Sequence, residues 1–161
     1  MAASGGQFSG LAVSQPGNIF KIGKSGSGFQ IMLYGAAVHF QSSGVDSIFQ
    51  ISMSGAYQEI YQSSSSCCKR PFTKVILASD GNLWATDSWV GGWGGVRSLT
   101  LSGTLLQTIL FNGTDGSLAT GLKQFSDGKL YGTTYNGGVD AQGNRAFGVI
   151  FSIDAGLPPP K

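Results

Sequence analysis

The sequence predicts an all-β protein made of short antiparallel strands and tight turns. Two features of its composition support this class. Glycine accounts for 26 of the 161 residues, about twice the usual share, and only 11% are charged, against the usual ~25%. The third observation is internal repetition, because the phrase SDGNLWATDSWVGG at 79–92 returns as SDGKLYGTTYNGG at 126–138. Short apolar runs separated by glycine favour many strands over helices.

The repeat extends beyond that phrase to two apolar elements. The first is LWAT at 83–86, which aligns with LYGT at 130–133 and, more weakly, with LYGA at 33–36. The second follows each of these, as IFQI at 48–51, VRSL at 96–99 and IFSI at 150–153, and IFKI at 19–22 looks like one earlier copy. A period of about 40–50 residues is typical of propeller blades.

One unit contains four predicted strands, at 73–78, 82–86, 95–101 and 105–111. The Asp-Gly pairs at 80–81 and 127–128 predict hairpin turns. With two-residue loops, Leu77 would lie opposite Trp84, and Gln124 opposite Tyr131. Four strands in about 47 residues match a β-propeller blade, so we expect propeller-like blades, about three and a half per chain. A β-sandwich or an irregular β-barrel is the alternative with a similar strand count, but neither predicts the repeat. Within one domain, 1–161, the approximate units are 10–44, 45–92 and 93–138, with a closing strand at 145–154 and a Pro-rich exit or linker at 155–161.

A family resemblance rests on the third copy of the repeat. The string GLKQFSDGKLYGTTYNGG, followed by FGVIFSI, closely resembles the GloVer-type tandem repeat. The match is strong for 121–153, recognisable for 75–111 and poor over the first 60 residues. Proteins with this repeat look like secreted or surface-anchored bacterial proteins, so the resemblance implies an extracellular setting and supplies no activity. The matched positions are Gly121, Leu122, Asp127, Gly128, Tyr131, Gly132, Thr133, Thr134, Gly137, Gly138, Gly148, Val149 or Ile150, Phe151 and Ile153.

Charge and hydropathy limit the cellular locations and the binding partners that we expect. The start, MAASGGQFSG, lacks the basic and apolar regions of a signal peptide, so we expect a mature segment of an extracellular or cell-surface protein. No apolar run is long enough to predict a membrane span. The ten basic residues are scattered, so nucleic acid is not an expected partner. Because propellers have about four to eight blades, we expect a homo-oligomer, with a ring-closing dimer favoured, or neighbouring repeats of a longer chain.

The sequence offers no set of residues that predicts catalysis, a cofactor or a metal. His39 is the only histidine, which leaves no zinc ligand set and no Ser-His-Asp arrangement. Glu59 is the only glutamate, and the turns explain Asp80 and Asp127, so a glycosidase pair is not expected. The adjacent cysteines at 67–68 lie in a polar run that predicts an exposed loop. We expect a non-catalytic module with a structural, assembly or adhesion role.

The alternative hypothesis is a lectin-like propeller that binds carbohydrate through loop tryptophans. Aromatic side chains can stack on sugar rings while Asp and Asn bond the hydroxyls. Trp84 aligns with Tyr131 and Tyr34, which predicts a core position for it. Trp89 and Trp93 fall in the glycine-rich loop that follows. The candidate ligand-binding residues are Asp87, Trp89, Trp93, Tyr135 and Asn136.

Overall fold

The computed structural model describes residues 11–13, 18–25, 28–39, 47–52, 54–63, 72–139, 142, 144 and 147–160. This part of the chain is all-β and forms three antiparallel sheets, which confirms the predicted all-β class. The first sheet contains β1 (Leu11–Val13), β2 (Asn18–Ser25), β3 (Gly28–His39), β4 (Ser47–Ser52) and β5 (Tyr57–Gln62). The second contains β6 (Phe72–Leu77), β7 (Leu83–Asp87), β8 (Gly95–Leu99) and β9 (Leu105–Leu110), and the third contains β10 (Ser117–Gln124), β11 (Leu130–Asn136) and β12 (Ile150–Ile153).

The second sheet has the four strands that the repeat predicts, and the other two sheets do not. Strand β3 has 12 residues, so β2 pairs along its first part and β1 along its last part. The third sheet has three strands. Beyond β12, the prolines at 158–160 have no N–H group to donate to a fourth strand. No closed ring or barrel is formed by the described residues.

The predicted repeat units and the hydrogen-bonded sheets are offset from each other. The unit bound at 44/45 falls between β3 and β4 and that at 92/93 falls between β7 and β8, so both lie within a sheet rather than between sheets. Cysteines 67 and 68 lie outside the described residues. Among the described residues, none forms a helix with the length and apolar character that crossing a bilayer requires.

Four hairpin turns share one geometry. In the turn at 78–82, the Ala78 N–H donates to the Asn82 carbonyl and the Gly81 N–H donates to the Ala78 carbonyl, both at 3.0 Å. Gly81 has a φ of 79°, a left-handed conformation that glycine adopts without a steric penalty. This is a three-residue loop, in which a type I turn precedes a left-handed residue. The same pair of bonds occurs at 52–56, 100–104 and 125–129.

The third loop residue moves the strand register by one position. Trp84 lies opposite Ile76, and Tyr131 lies opposite Lys123. The predicted pairs of Leu77 with Trp84 and of Gln124 with Tyr131 are therefore wrong, because they assumed a two-residue loop. In both Asp-Gly turns, the aspartate side chain accepts a backbone N–H of the longer loop.

The sheets stack in one direction through two kinds of face. We call the side of each sheet that carries Tyr34, Trp84 or Tyr131 its aromatic face, and the opposite side, with Leu33, Leu83 or Leu130, its leucine face. The aromatic face of the first sheet packs on the leucine face of the second, through a core of Tyr34, Ala36, Ile48, Phe72, Val75, Leu83, Ala85 and Leu99. The aromatic face of the second packs on the leucine face of the third, through Ile76, Ala78, Trp84, Val96, Phe111, Ala119, Leu122, Leu130 and Phe151.

These junctions confirm the core position predicted for Trp84, which is 2% exposed. The equivalent Tyr34 is also 2% exposed, and its burial raises the pKa of its hydroxyl. Burying large aromatic side chains of this kind supplies much of the apolar contribution to a small core. The repeated aromatic position therefore joins one sheet to the next.

Candidate functional site

The aromatic face of the third sheet carries exposed apolar side chains. Ile150 is 80% exposed and Phe125 is 46% exposed. Together with Tyr131, Thr133 and Lys123, they line a groove of about 610 Å³ whose margin includes Lys74 and Ile76 of β6. Strand register places Lys123 beside Tyr131, and Thr133 beside Ile150, on this one face. Within the described part of the chain, no further sheet packs on it.

Neighbouring side chains hold the Tyr131 ring in place. Its hydroxyl donates to Asp127 Oδ2 at 2.8 Å, and the Phe125 ring meets it edge-on with the centroids 5.0 Å apart. The hydrogen bond stabilises the ionised carboxylate and the protonated phenol. It therefore lowers the pKa of Asp127 and raises the pKa of Tyr131. Lys123 Nζ lies 5.3 Å from the Phe125 centroid, which adds a positive charge to the same groove.

A second cleft adjoins this groove at the far end of β11. It measures about 490 Å³ and is lined by Tyr135, Asn136, Phe147 and three threonines. Tyr135 is 68% exposed and Phe147 is 99% exposed. Exposed rings beside hydroxyl and amide groups are the combination that can stack on a sugar ring and bond its hydroxyls. The structure thus brings the predicted residues Tyr135 and Asn136 together in one cleft.

Asp87 is engaged inside the protein. It ends β7 and is 5% exposed. Its Oδ1 accepts the N–H groups of Trp89 and Val90, both at 3.0 Å, and its Oδ2 lies 3.2 Å from Arg97 Nε. Arg97, which is 8% exposed, donates through Nη1 to the Tyr61 hydroxyl of the first sheet. Both oxygens of Asp87 therefore shape the loop and the junction between the first two sheets.

The two loop tryptophans differ in exposure. Trp89 is half-buried, and its Nε1 is buried with no acceptor among the residues that the structure describes. Trp93 is 44% exposed. Its ring lies over Gly113, and its carbonyl accepts the Leu118 N–H at 3.1 Å. Trp93 therefore links the second sheet to β10 and still presents part of its ring to solvent.

The two turn aspartates have the structural role in their turns that the sequence predicts. Asp80 accepts the Asn82 N–H at 3.1 Å and the Trp84 Nε1–H at 3.3 Å. Asp127 repeats this arrangement, accepting the Lys129 N–H at 3.0 Å and the Tyr131 hydroxyl. Each aspartate ties its turn to the aromatic residue four positions later.

The described residues contain no metal-binding cluster, and two exposed apolar side chains were not predicted. Among the described residues, no three His, Cys, Asp or Glu side chains are placed to hold one metal ion. Sequence reasoning missed Ile150 and Phe147 as exposed surface residues. Both lie in one apolar run, FGVIF at 147–151, and such a run is typical of a buried strand. No sequence signal marks the exposure of Ile150, because it aligns with Ile48 and Val96, which are both buried.

Comparison with known proteins adds no family. No protein-family model matches the chain, and no curated protein is significantly similar to it. The resemblance to the GloVer-type repeat therefore stays a prediction.

Proposed function

We propose that this chain is a non-catalytic extracellular repeat module with a structural, assembly or adhesion role, and that its three sheets are propeller-like blades. The observation that carries the proposal is the directional stacking of the sheets. Each of the two internal junctions joins an aromatic face to a leucine face, and one further aromatic face stays exposed on the third sheet. A unit that repeats the same junction is suited to build or extend a larger assembly.

The use of the acidic side chains supports a scaffold rather than an enzyme. Asp80 and Asp127 cap turns, and Asp87 caps a loop and pairs with Arg97. Asp115 accepts the Asn112 N–H at 2.8 Å, within another turn. Glu59 accepts hydrogen bonds from Ser47 and Tyr57. The low charged fraction and the resemblance to the GloVer-type repeat favour an extracellular setting for such a scaffold.

Molar mass in solution tests the assembly role. We expect sedimentation equilibrium to show concentration-dependent association, with a ring-closing dimer at twice the 16.7 kDa of one chain. A companion assay uses inert beads coated with the protein, which should cluster, while beads coated with unfolded protein should not. A stable monomer at all concentrations, together with dispersed beads, would refute the assembly proposal.

Carbohydrate binding is a second candidate, and the cleft at the end of β11 favours it. Tyr135 and Phe147 present rings there beside Asn136 and the Thr133 hydroxyl. A glycan array probed with the wild type and with Tyr135→Ala tests this candidate. We expect a specific signal that the variant loses, whereas a Leu106→Ala control at an exposed leucine of β9 should keep it. An empty array with the wild type would remove the candidate.

A further inference from the structure

We propose that the aromatic face of the third sheet binds the leucine face of the first sheet of a second copy of this chain, head to tail. The inference rests on the proposed assembly role and specifies the two surfaces that would carry it. It would repeat between chains the junction that already occurs twice within one chain. Two such contacts, related by a two-fold axis, would close two chains into one ring.

The equivalent residues of the three sheets show which surface lacks a partner. Ile48 and Val96 occupy the same position of the repeat in the first and second sheets, and both are 0% exposed at the internal junctions. Ile150 occupies that position in the third sheet and is 80% exposed. An isoleucine side chain that faces water does not gain the free energy that its burial would supply. Within the described residues, the third aromatic face thus carries the same kind of side chains as the two buried ones, but it has no sheet upon it and no fourth strand beside β12.

The first sheet supplies a matching leucine face. Leu33, Phe49 and Ile51 lie on the side of that sheet that faces away from the second sheet, as the register and the core membership show. Leu33 and Ile51 are half-buried, whereas Phe49 is already 4% exposed, with its ring 5.4 Å from that of Tyr57. This face resembles the leucine face of the third sheet. In both sheets a phenylalanine, Phe49 or Phe151, lies over a glycine of the neighbouring strand.

Charge also favours this pairing. Among the described side chains, Lys123 and Lys74 outnumber the Asp127 carboxylate at the groove of the third sheet, whereas Glu59 lies opposite Phe49 on the leucine face of the first. Opposite charges on two surfaces favour their encounter and fix their orientation. Packing two copies of the third sheet against each other would instead bring Lys123 close to a second Lys123. A head-to-tail contact is therefore favoured over a contact between like faces.

Complementation between two blocked variants tests the arrangement. Ile150→Asp places a charge on the aromatic face at an exposed site, and Ile51→Asp places one on the leucine face. Each variant alone should bind itself at least about 30-fold more weakly than the wild type, as expected for a central interface residue. An equimolar mixture should form a heterodimer, because one copy retains each face. Leu106→Asp, at an exposed leucine of β9, is the matched control and should associate like the wild type.

Because Ile51→Asp could fail to fold, a second experiment uses the wild type alone. A mixture of ¹⁴N- and ¹⁵N-labelled chains is treated with a zero-length carbodiimide, which joins carboxylates to amines in contact. We expect mixed-isotope peptides that link Glu59 to Lys123 or Lys74. Glu59→Arg offers a second block of the leucine face, and it should also be rescued by Ile150→Asp in a mixture.

The outcomes separate this inference from the assembly role itself. Association of the wild type that neither face variant weakens would leave the assembly role standing and overturn the proposed surfaces. Self-association of Ile51→Asp at wild-type strength, with no rescue in mixtures, would show that like faces meet and would overturn the head-to-tail arrangement. A wild type that stays monomeric and gives no mixed-isotope peptides would overturn both.

Discussion

Alanine at Gly132 should disrupt the third sheet by overpacking. A Cβ atom at this position would lie 2.7 Å from Cε1 of Phe151, and closer still to Cζ of that ring and to the Gly121 carbonyl oxygen. Carbon atoms pack best at about 3.5–4.0 Å, so the substitution cannot be accommodated without movement. The Phe151 ring is 8% exposed and belongs to the core between the second and third sheets, which restricts where it can move.

The expected cost of Gly132→Ala is the difference between two opposing effects. Alanine in a strand is ordinarily more stable than glycine by about 0.5–1 kcal/mol, since it loses less conformational entropy. Overpacking a closed site costs about 1–3 kcal/mol, and here both a buried ring and a backbone carbonyl must yield. We therefore expect a net loss of about 2 kcal/mol in the free energy of unfolding. For a chain of this size, that loss lowers the melting temperature by about 4–8 °C.

Urea unfolding followed by tryptophan fluorescence measures this loss, because all three tryptophans lie in the second sheet or its loop and Trp84 is in the core. Gly121→Ala is the matched control. Its Cβ would lie 2.9 Å from Thr133 Oγ1, an exposed hydroxyl that can rotate away, so we expect a change within about 1 kcal/mol. Phe151→Leu should rescue part of the loss at Gly132, with a coupling energy of at least about 1 kcal/mol. A Gly132→Ala variant as stable as the wild type, or a strictly additive double variant, would refute this account of the junction.

Three further perturbations follow from individual contacts. Asp127→Asn should lower the melting temperature at pH 7. Because the folded state holds the pKa of Asp127 below its usual 3.8, the gap to the wild type should close as the pH falls below that value; a gap that persists at pH 2 would contradict this. Burial and the hydrogen bond to Glu59 raise the pKa of Tyr57 to about 12 in the folded state, so its contribution to stability is complete below pH 10 and is lost as the pH rises to about 12. Urea unfolding should accordingly show a steeper decline over that range for the wild type than for Tyr57→Phe, and equal slopes would refute the assignment. Arg97→Met leaves the Asp87 carboxylate buried without its charge partner and should cost about 3 kcal/mol in urea unfolding, and adding Asp87→Asn should recover part of that loss rather than deepen it.

The sequence predicted the local features of the fold well. The strands of the second sheet, the Asp-Gly turns and the core position of Trp84 all follow from short-range patterns, namely β-forming runs, turn residues and alignment between copies. The register did not follow, because Asp-Gly occurs in loops of two and of three residues. The two turn bonds between Ala78 and Asn82 and between Gly81 and Ala78, together with the strand register, show that the longer loop is used here.

The features that the sequence did not predict depend on contacts between distant segments. Asp87 follows a strand and precedes a glycine-rich loop, a pattern typical of a surface carboxylate, yet Arg97 of the next strand holds it inside. Ile150 has the same sequence context as Ile48 and Val96, so no local signal distinguishes it. Its exposure reflects the absence, within the described residues, of both a next sheet and a fourth strand beside β12, which are properties of the whole stack.

The two internal junctions differ in chemistry, and that difference indicates which of them a contact between chains would copy. At the junction of the first and second sheets, Arg97 stands where the other leucine faces carry phenylalanine, and it bonds Tyr61 across the interface. The junction of the second and third sheets instead places Phe151 over Gly132, with Phe111 4.9 Å from its ring centroid. The first sheet carries Phe49 over Gly35, so its leucine face is of the second kind. A head-to-tail contact would therefore bury Ile150 against Leu33 and Ile51, beside the already buried Phe49, with the lysines and Glu59 at its margin. The affinity of the contact should then change little when salt is added, whereas its association rate should fall.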